Sequence, residues 1–301
     1  MSRVSRRVLV LVFAAGALAA CSLALPRSSA PAPPHGGERA APRERELALP
    51  QRSPGTLPGS QLVAQLRSLP LAAREAAVWR EVEAGNVPAF LGKLVPVQVE
   101  ATVQGRRRTA TFWCAPDYFG LGCDEDWFRM PITSLLAQRI ADRWGCVLPT
   151  RAMVDAIWVK APIKLAPHPF HPDSHDIVSV ALFYEHHLRI EAQREGRGRD
   201  LLVAGIKKDI VSSALIDSWP GRVVIYGWHR PDGSPIQPLS KVHTDAHVDY
   251  SHGLRLVAED MEVDGTATTV AAVLADPELH VLLSDEGPIP KPRYRLPAAA
   301  R

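Results

Sequence analysis

The chain has 301 residues, with 35 Lys and Arg against 32 Asp and Glu, a near balance that excludes the basic face a nucleic-acid partner needs. Three of the arginines (Arg3, Arg6 and Arg7) fall in the first 20 residues, where there is no acid, so the remainder carries 32 basic and 32 acidic groups and is neutral on balance. The length is ample for burying a sizeable core in one large domain or a compact pair.

Arg3, Arg6 and Arg7 precede an apolar run from Val8 to Ala20 that ends in Leu18-Ala19-Ala20-Cys21. Charged, then apolar, then small is the order of a secretory signal, and about a dozen apolar residues is too short for a ~20-residue membrane span. The Leu-Ala-Ala-Cys ending resembles the lipobox of bacterial lipoproteins. That resemblance covers residues 1–21 and implies lipidation of Cys21, attachment to a membrane through that lipid, and a domain facing the periplasm or the exterior. Residues 22–59 hold eight of the 27 prolines and no sustained apolar period, which predicts a tether of about 100 Å at ~3.1 Å per residue. The expected organisation is a signal over 1–20, a lipidated cysteine and tether over 21–59, a globular domain over 60–287 and a peripheral tail over 288–301.

From Ser60 the pattern turns helical, with Leu62, Leu66 and Leu69 on one face before Pro70, and a second helix over Leu71–Glu83 stopped by Gly85-Asn86. Val97, Val99, Ala101 and Val103 alternate, and the run Thr109–Trp113 resumes after a Gln-Gly-Arg turn, which predicts a hairpin. Helices are expected from about Thr133 to Trp144 and from Thr150 to Val159. Prolines 162, 167, 169 and 172 then enforce a loop. Strand-like runs recur at Ile177–Tyr184, Leu201–Ile206, Val223–Trp228 and Leu254–Val257, and a short helix is expected over Thr268–Leu274 with Thr266 as its cap. Helices early and strands late predict an α+β fold, a helical N-terminal part followed by a mainly antiparallel sheet in a single large domain.

With Cys21 lipidated, Cys114, Cys123 and Cys146 remain, an odd number that allows one bridge, with Cys114 and Cys123 the nearest pair in sequence. None lies in a recognisable nucleophile signature, so inert buried or bridged cysteine is the expectation. Asp117–Asp126 brings four carboxylates beside aromatics and glycines without the spacing of a calcium loop, and reads as a charged surface loop.

The densest chemistry lies in residues 226–256, which hold four of the eleven histidines, His229, His243, His247 and His252, with Asp245 and Asp249 between them. Extended backbone would set His243, Asp245, His247 and Asp249 along one face. Imidazole and carboxylate are zinc ligands, and His229, His243, His247 and His252 are the metal candidates, although the spacings match no standard zinc motif. Acid-base work by a histidine held by Asp249 or Asp245 is the non-metal counterpart. Lys207 and Asp209, at the end of an apolar run, and Tyr226, in the strand that delivers His229, are candidate substrate-binding residues.

Ser251, His252, Gly253 and Arg255 resemble the Ser-His-Gly-Cys-x-Arg motif of bacterial L,D-transpeptidases, with His229 as the upstream histidine. No cysteine follows Gly253 and the interval to Arg255 is one residue short, so that family's thiolate chemistry cannot occur at this position. The sequence reading is therefore an envelope lipoprotein acting as an extracytoplasmic hydrolase, with His229, His247, Asp249, His252 and Arg255 as its catalytic core and an envelope polymer or small ligand as its partner. The alternative is a ligand-binding or envelope-assembly lipoprotein without catalysis. The enzyme reading requires at least three of the five core side chains to converge in a concave site, whereas the alternative lets them scatter.

Overall fold

The computed structural model describes residues 44–297 except 172 and 174. The signal, Cys21 and the tether as far as residue 43 lie outside the described residues. The remainder of the expected tether is docked on the domain: β1 (Arg45–Glu46) pairs antiparallel with the strand starting at Lys93, and Leu47, Leu49 and Leu57 pack against the core. These leucines carry no period of their own because an existing surface receives them.

The helical pair follows as α1 (Gly59–Leu66) and α2 (Leu71–Glu83), burying Leu62, Leu66, Val78 and Val82. The hairpin forms as β2 (Lys93–Val103) and β3 (Arg106–Cys114), paired without a break from Val95↔Cys114 to Val103↔Arg106. Alternation in β3 sends Trp113 into one core and Ala110, Phe112 and Cys114 into a second. A small hairpin, β4 (Gly120–Gly122) with β5 (Trp127–Arg129), comes next. Then α3 (Ser134–Arg143), β6 (Cys146–Val147) and α4 (Arg151–Lys160) follow. Thr133 and Thr150 cap the two helices by accepting from the amides of Leu136 and Met153.

Beyond β7 (Ile163–Lys164), the run expected as a strand at Ile177–Tyr184 is largely helix. Ser179 accepts from Leu182 N and starts α5 (Val180–Arg194), which buries Val180, Phe183, His186, His187, Ile190 and Arg194 at helical spacing. A short window catches only its β-branched and aromatic start; the stripe continues through histidines and an arginine, which an apolar count passes over.

After β8 (Val203–Ala204), β9 (Lys208–Ile210) and the single turn α6 (Leu215–Ser218) come the site-bearing strands β10 (Ile225–His229), β11 (Pro235–Ser240) and β12 (His252–Gly253). They form a sheet in the order β11-β10-β9-β12, antiparallel except for β12, which runs parallel to β9. The chain closes with β13 (Val257–Ala258), β14 (Asp260–Val263), β15 (Thr266–Thr269) and α7 (Val270–Ala275), capped by Thr269 and not by Thr266, which lies in β15. Strands β13 and β14 join β3 in a seven-stranded sheet whose second core is covered by α4 and α7.

The tail is not peripheral throughout. Ile289 and Tyr294 are buried, and the Tyr294 hydroxyl donates to the carbonyls of Val211 and Val224. The fold is a mixture of helices and mainly antiparallel sheets, with helices interleaved among strands. Among the described residues no helix is long and apolar enough to cross a membrane.

Candidate functional site

The centre of the four-stranded sheet sets the site. Gly227, Lys208 and His252 lie in register across β10, β9 and β12. Gly227 (φ 103°) and Trp228 (φ 57°) both take positive φ, and the β10–β11 register shifts between Ile225 and Gly227. A non-glycine residue in that region costs about 1–3 kcal/mol and persists only where its surroundings hold it. Here the twist turns the Trp228 ring to within 5.2 Å of the Lys208 ammonium and 6.2 Å of Tyr250.

Residues 241–251 form a loop and not the extended edge that alternation predicts. The amide of His247 donates to Thr244 O, and that turn stacks the rings of His243 and His247 with centroids 4.1 Å apart and planes 15° apart. Asp245 is drawn off instead, its amide donating to Gly221 O. A second turn, from the His252 amide to Asp249 O, brings the His252 ring 5.6 Å from that of His247 and 6.3 Å from that of His243.

Asp249 organises this cluster. Its Oδ1 accepts from Ser251 N at 2.7 Å and Ser251 Oγ at 2.5 Å. Its Oδ2 faces His247 Nε2 at 3.7 Å, Lys208 Nζ at 3.8 Å and His252 Nε2 at 4.0 Å. Burial opposes ionisation of Asp249, but His247, His252, Lys208 and the Ser251 hydroxyl outweigh it and hold its carboxyl far below the usual range. His252 is fully buried, and burial pushes its pKa down to about 3, against the opposing pull of Asp249. Neither ring nitrogen of His252 has a hydrogen-bond partner, nor does His247 Nε2. His243 and His247 are half-buried, so the cluster opens toward solvent on their side.

The remaining candidates lie elsewhere. His229 Nε2 pairs with Asp155 Oδ1 at 2.8 Å, the same carboxylate that accepts from the Tyr226 hydroxyl at 2.9 Å. Strict alternation would put residues 226 and 229 on opposite faces; the two positive-φ residues between them set both on Asp155. Arg255 is buried with its guanidinium 4.0 Å from the Tyr118 ring, donating to Ala115 O at 3.0 Å and Val203 O at 2.6 Å, so it ties the end of β3 to β8. Lys207 is buried against His186 Nδ1 (3.2 Å) and donates to Tyr250 O; burial and the nearby Arg129 bring its ammonium down to about 7. Asp209 is buried and accepts from the Tyr118 hydroxyl at 2.8 Å, and burial pushes its carboxyl up to about 6.

Sequence reasoning named Lys208 and Ser251 without placing them at Asp249, which both contact, and it missed Trp228 beside Lys208 and a buried ionic group. Asp117 is not on a surface loop: it is fully buried, held by Arg129 Nε at 2.8 Å, Arg129 Nη2 at 2.6 Å and Arg194 Nη1 at 2.8 Å. Arg129 also pairs with Glu191 at 2.8 Å. These partners lie up to 77 residues apart in sequence, so no local pattern reveals them. Cys114, Cys123 and Cys146 are unbridged, and the expected Cys114–Cys123 pairing is absent. Cys114 ends β3 facing the second core while Cys123 sits beyond β4. Burial pushes the Cys114 and Cys146 thiols up to about 12, which opposes a nucleophilic role.

Two clefts, one lined by residues including Leu47, Pro50 and Asp124 and the other by Asp217, Pro290 and Tyr294, contain none of the histidine cluster. No family model, curated protein or solved structure matches the chain.

Proposed function

We propose that the chain is an extracytoplasmic hydrolase, held at the cell envelope by a lipid on Cys21, whose site is His243, His247, Asp249 and His252 with Lys208 beside them. The observation that carries this reading is convergence. Three of the five core residues expected from sequence (His247, Asp249 and His252) present donor atoms all within 4.8 Å of one another. Scattered or individually satisfied histidines would instead favour a binding or assembly lipoprotein. An orphaned buried polar group costs about 1–3 kcal/mol, and His252 carries two such nitrogens. Structure retained at that cost is more readily explained by chemistry at the site than by packing.

The division of labour follows from position. Asp249 is fixed by Ser251 and supplies charge, His247 and His252 supply imidazole nitrogens, and Lys208 supplies a cation for an anionic substrate group or a developing oxyanion. His229, paired with Asp155, and Arg255, tied to backbone carbonyls, support the scaffold and are not part of this site. A balanced mature charge leaves an envelope polymer or a small ligand as the partner class, with no feature directed at nucleic acid. Incubating the full chain with isolated cell-wall polymer and with small ester and amide substrates tests the reading. The His247→Ala and Asp249→Asn variants should lose on the order of 100-fold or more in turnover, whereas undiminished turnover in both removes the site from the reaction.

A further inference from the structure

We infer that His247, Asp249 and His252 are the three protein ligands of a divalent transition-metal site, with zinc the ion its donors suit best. The inference deepens the hydrolase reading and rests on it only for the metal's use; binding has its own readout.

The donor set is the first argument. Two neutral imidazoles and one carboxylate, leaving a fourth position for water or substrate, is the composition of a catalytic zinc site. The spacing is the second. Bonds of ~2.1 Å to a tetrahedral ion place ligand atoms ~3.4 Å apart. Asp249 Oδ2 is 3.7 Å from His247 Nε2 and 4.0 Å from His252 Nε2, and the three donors all lie within 4.8 Å of one another, so closing on an ion takes relative movements of up to about 1.4 Å.

Third, the ligand atoms are free and aimed. Ser251 occupies Asp249 Oδ1 through both its amide and its hydroxyl, which leaves Oδ2 turned toward the histidines as a single-oxygen ligand. His252 is fully buried with no hydrogen bond at either nitrogen, and His247 Nε2 is likewise buried without one. A cation taking one lone pair from each ring, at His247 Nε2 and His252 Nε2, accounts for two of these three unpartnered nitrogens. The backbone also favours closing. His252 starts β12 in register with Lys208, and tight turns tie it to Asp249 and His247 to Thr244, so the ligands are held within a six-residue span on an anchored loop.

Two neighbours act on the ion without being in the ligand set. The His243 ring stacks on His247 and fixes its plane. Lys208 Nζ, 3.8 Å from Oδ2, competes with a dication for that oxygen. Its flexible stem lets the ammonium move toward the Trp228 ring, and from there it can face a group bound at the fourth position.

The test uses the full chain, purified in detergent, stripped with a chelator and titrated with Zn2+ by calorimetry; Co2+ addition is followed by visible absorption. One ion per chain and the intense visible bands of a four-coordinate Co2+ site are expected. Because His252 is in the core, where His252→Ala would also disturb packing, the half-buried His247 decides: His247→Ala and Asp249→Asn should weaken Zn2+ binding by more than ~100-fold with unchanged far-ultraviolet circular dichroism. His280→Ala, remote on the final 3-10 turn, should bind as the unmodified chain does. Absence of stoichiometric uptake by the folded chain, or wild-type affinity in His247→Ala, overturns the inference. Zinc uptake without hydrolysis supports the metal site and removes the hydrolase reading. Hydrolysis by a chelator-stripped chain that takes up no zinc does the reverse.

Discussion

The buried ionic group behind the site gives a quantitative test of how this fold holds its polar interior. Asp117 is fully buried and its two oxygens receive three guanidinium contacts, at 2.6–2.8 Å, from Arg129 and Arg194. In Asp117→Asn the volume is kept and one carbonyl oxygen remains, but the new amide N–H groups face guanidinium N–H groups. Two buried cations are then left with Glu191, half-exposed, as their remaining carboxylate. Breaking a buried pair by removing one partner costs about 3–5 kcal/mol. At ~2–4 °C per kcal/mol for a domain of this size, that is a fall in midpoint of roughly 6–20 °C. The wild type carries a linked signature. Burial opposes ionisation of Asp117, yet Arg129, Arg194 and Arg255 outweigh it and hold its carboxyl down at about 2. A depressed carboxylate stabilises the fold above its unfolded value near 4, and that contribution, about 2–3 kcal/mol, is lost as pH falls from about 4 through 2. Urea unfolding followed by tryptophan fluorescence at pH 7 and at stepped acidic pH measures both. A loss under about 1 kcal/mol in Asp117→Asn would refute the claim that Asp117 is the buried counter-charge of Arg129 and Arg194.

Asp209 behaves oppositely: burial raises its carboxyl from 3.8 to about 6, so the native chain holds a proton that the unfolded chain has released. Its contribution therefore makes stability fall by up to about 3 kcal/mol as pH rises from about 4 to 6, and Asp209→Asn should flatten that slope in the same urea experiment; an unaltered slope contradicts the assignment. A Cβ at Gly253 would lie 2.5 Å from Tyr118 Cδ1 and 2.9 Å from Lys207 Cβ. Gly253→Ala should thus cost about 1–3 kcal/mol in chemical unfolding, and a neutral result would show that β12 is not tightly seated. In the native chain a maleimide should label Cys123, which is half-buried, and spare Cys114 and Cys146 until denaturant is added. Rapid native labelling of Cys114, read by peptide mass spectrometry, contradicts the core position at the end of β3.

Where sequence and structure agree, the determinants are local. Pro70 and Gly85 bracket α2, Thr133 and Thr150 supply caps, and the Gln104-Gly105 turn joins two alternating runs, so each element is encoded within about fifteen residues. The spacing of His243, His247, Asp249 and His252 marked the segment, but its geometry was not legible: alternation implied one extended face, whereas turns within ten residues bring these side chains together and draw Asp245 away. What else was not legible depends on distant partners. Helix α5 uses His186, His187 and Arg194 as core residues because Lys207, Arg129 on β5 and Asp117 ahead of β4 come to meet them in turn. His229 was expected at the site because β10 points there, but two positive-φ residues redirect it to Asp155 on α4. Arg255 sits three residues from His252 yet ends against Ala115 and Val203, which only the packed sheet brings near.

The most direct measurement of the central claim is release of soluble fragments from isolated cell-wall polymer by the full chain, compared with the His247→Ala/Asp249→Asn double variant verified to be folded by circular dichroism. The account predicts that the wild type releases fragments with newly formed polar ends and that the double variant releases none above the no-enzyme background. Equal release by both proteins would contradict it.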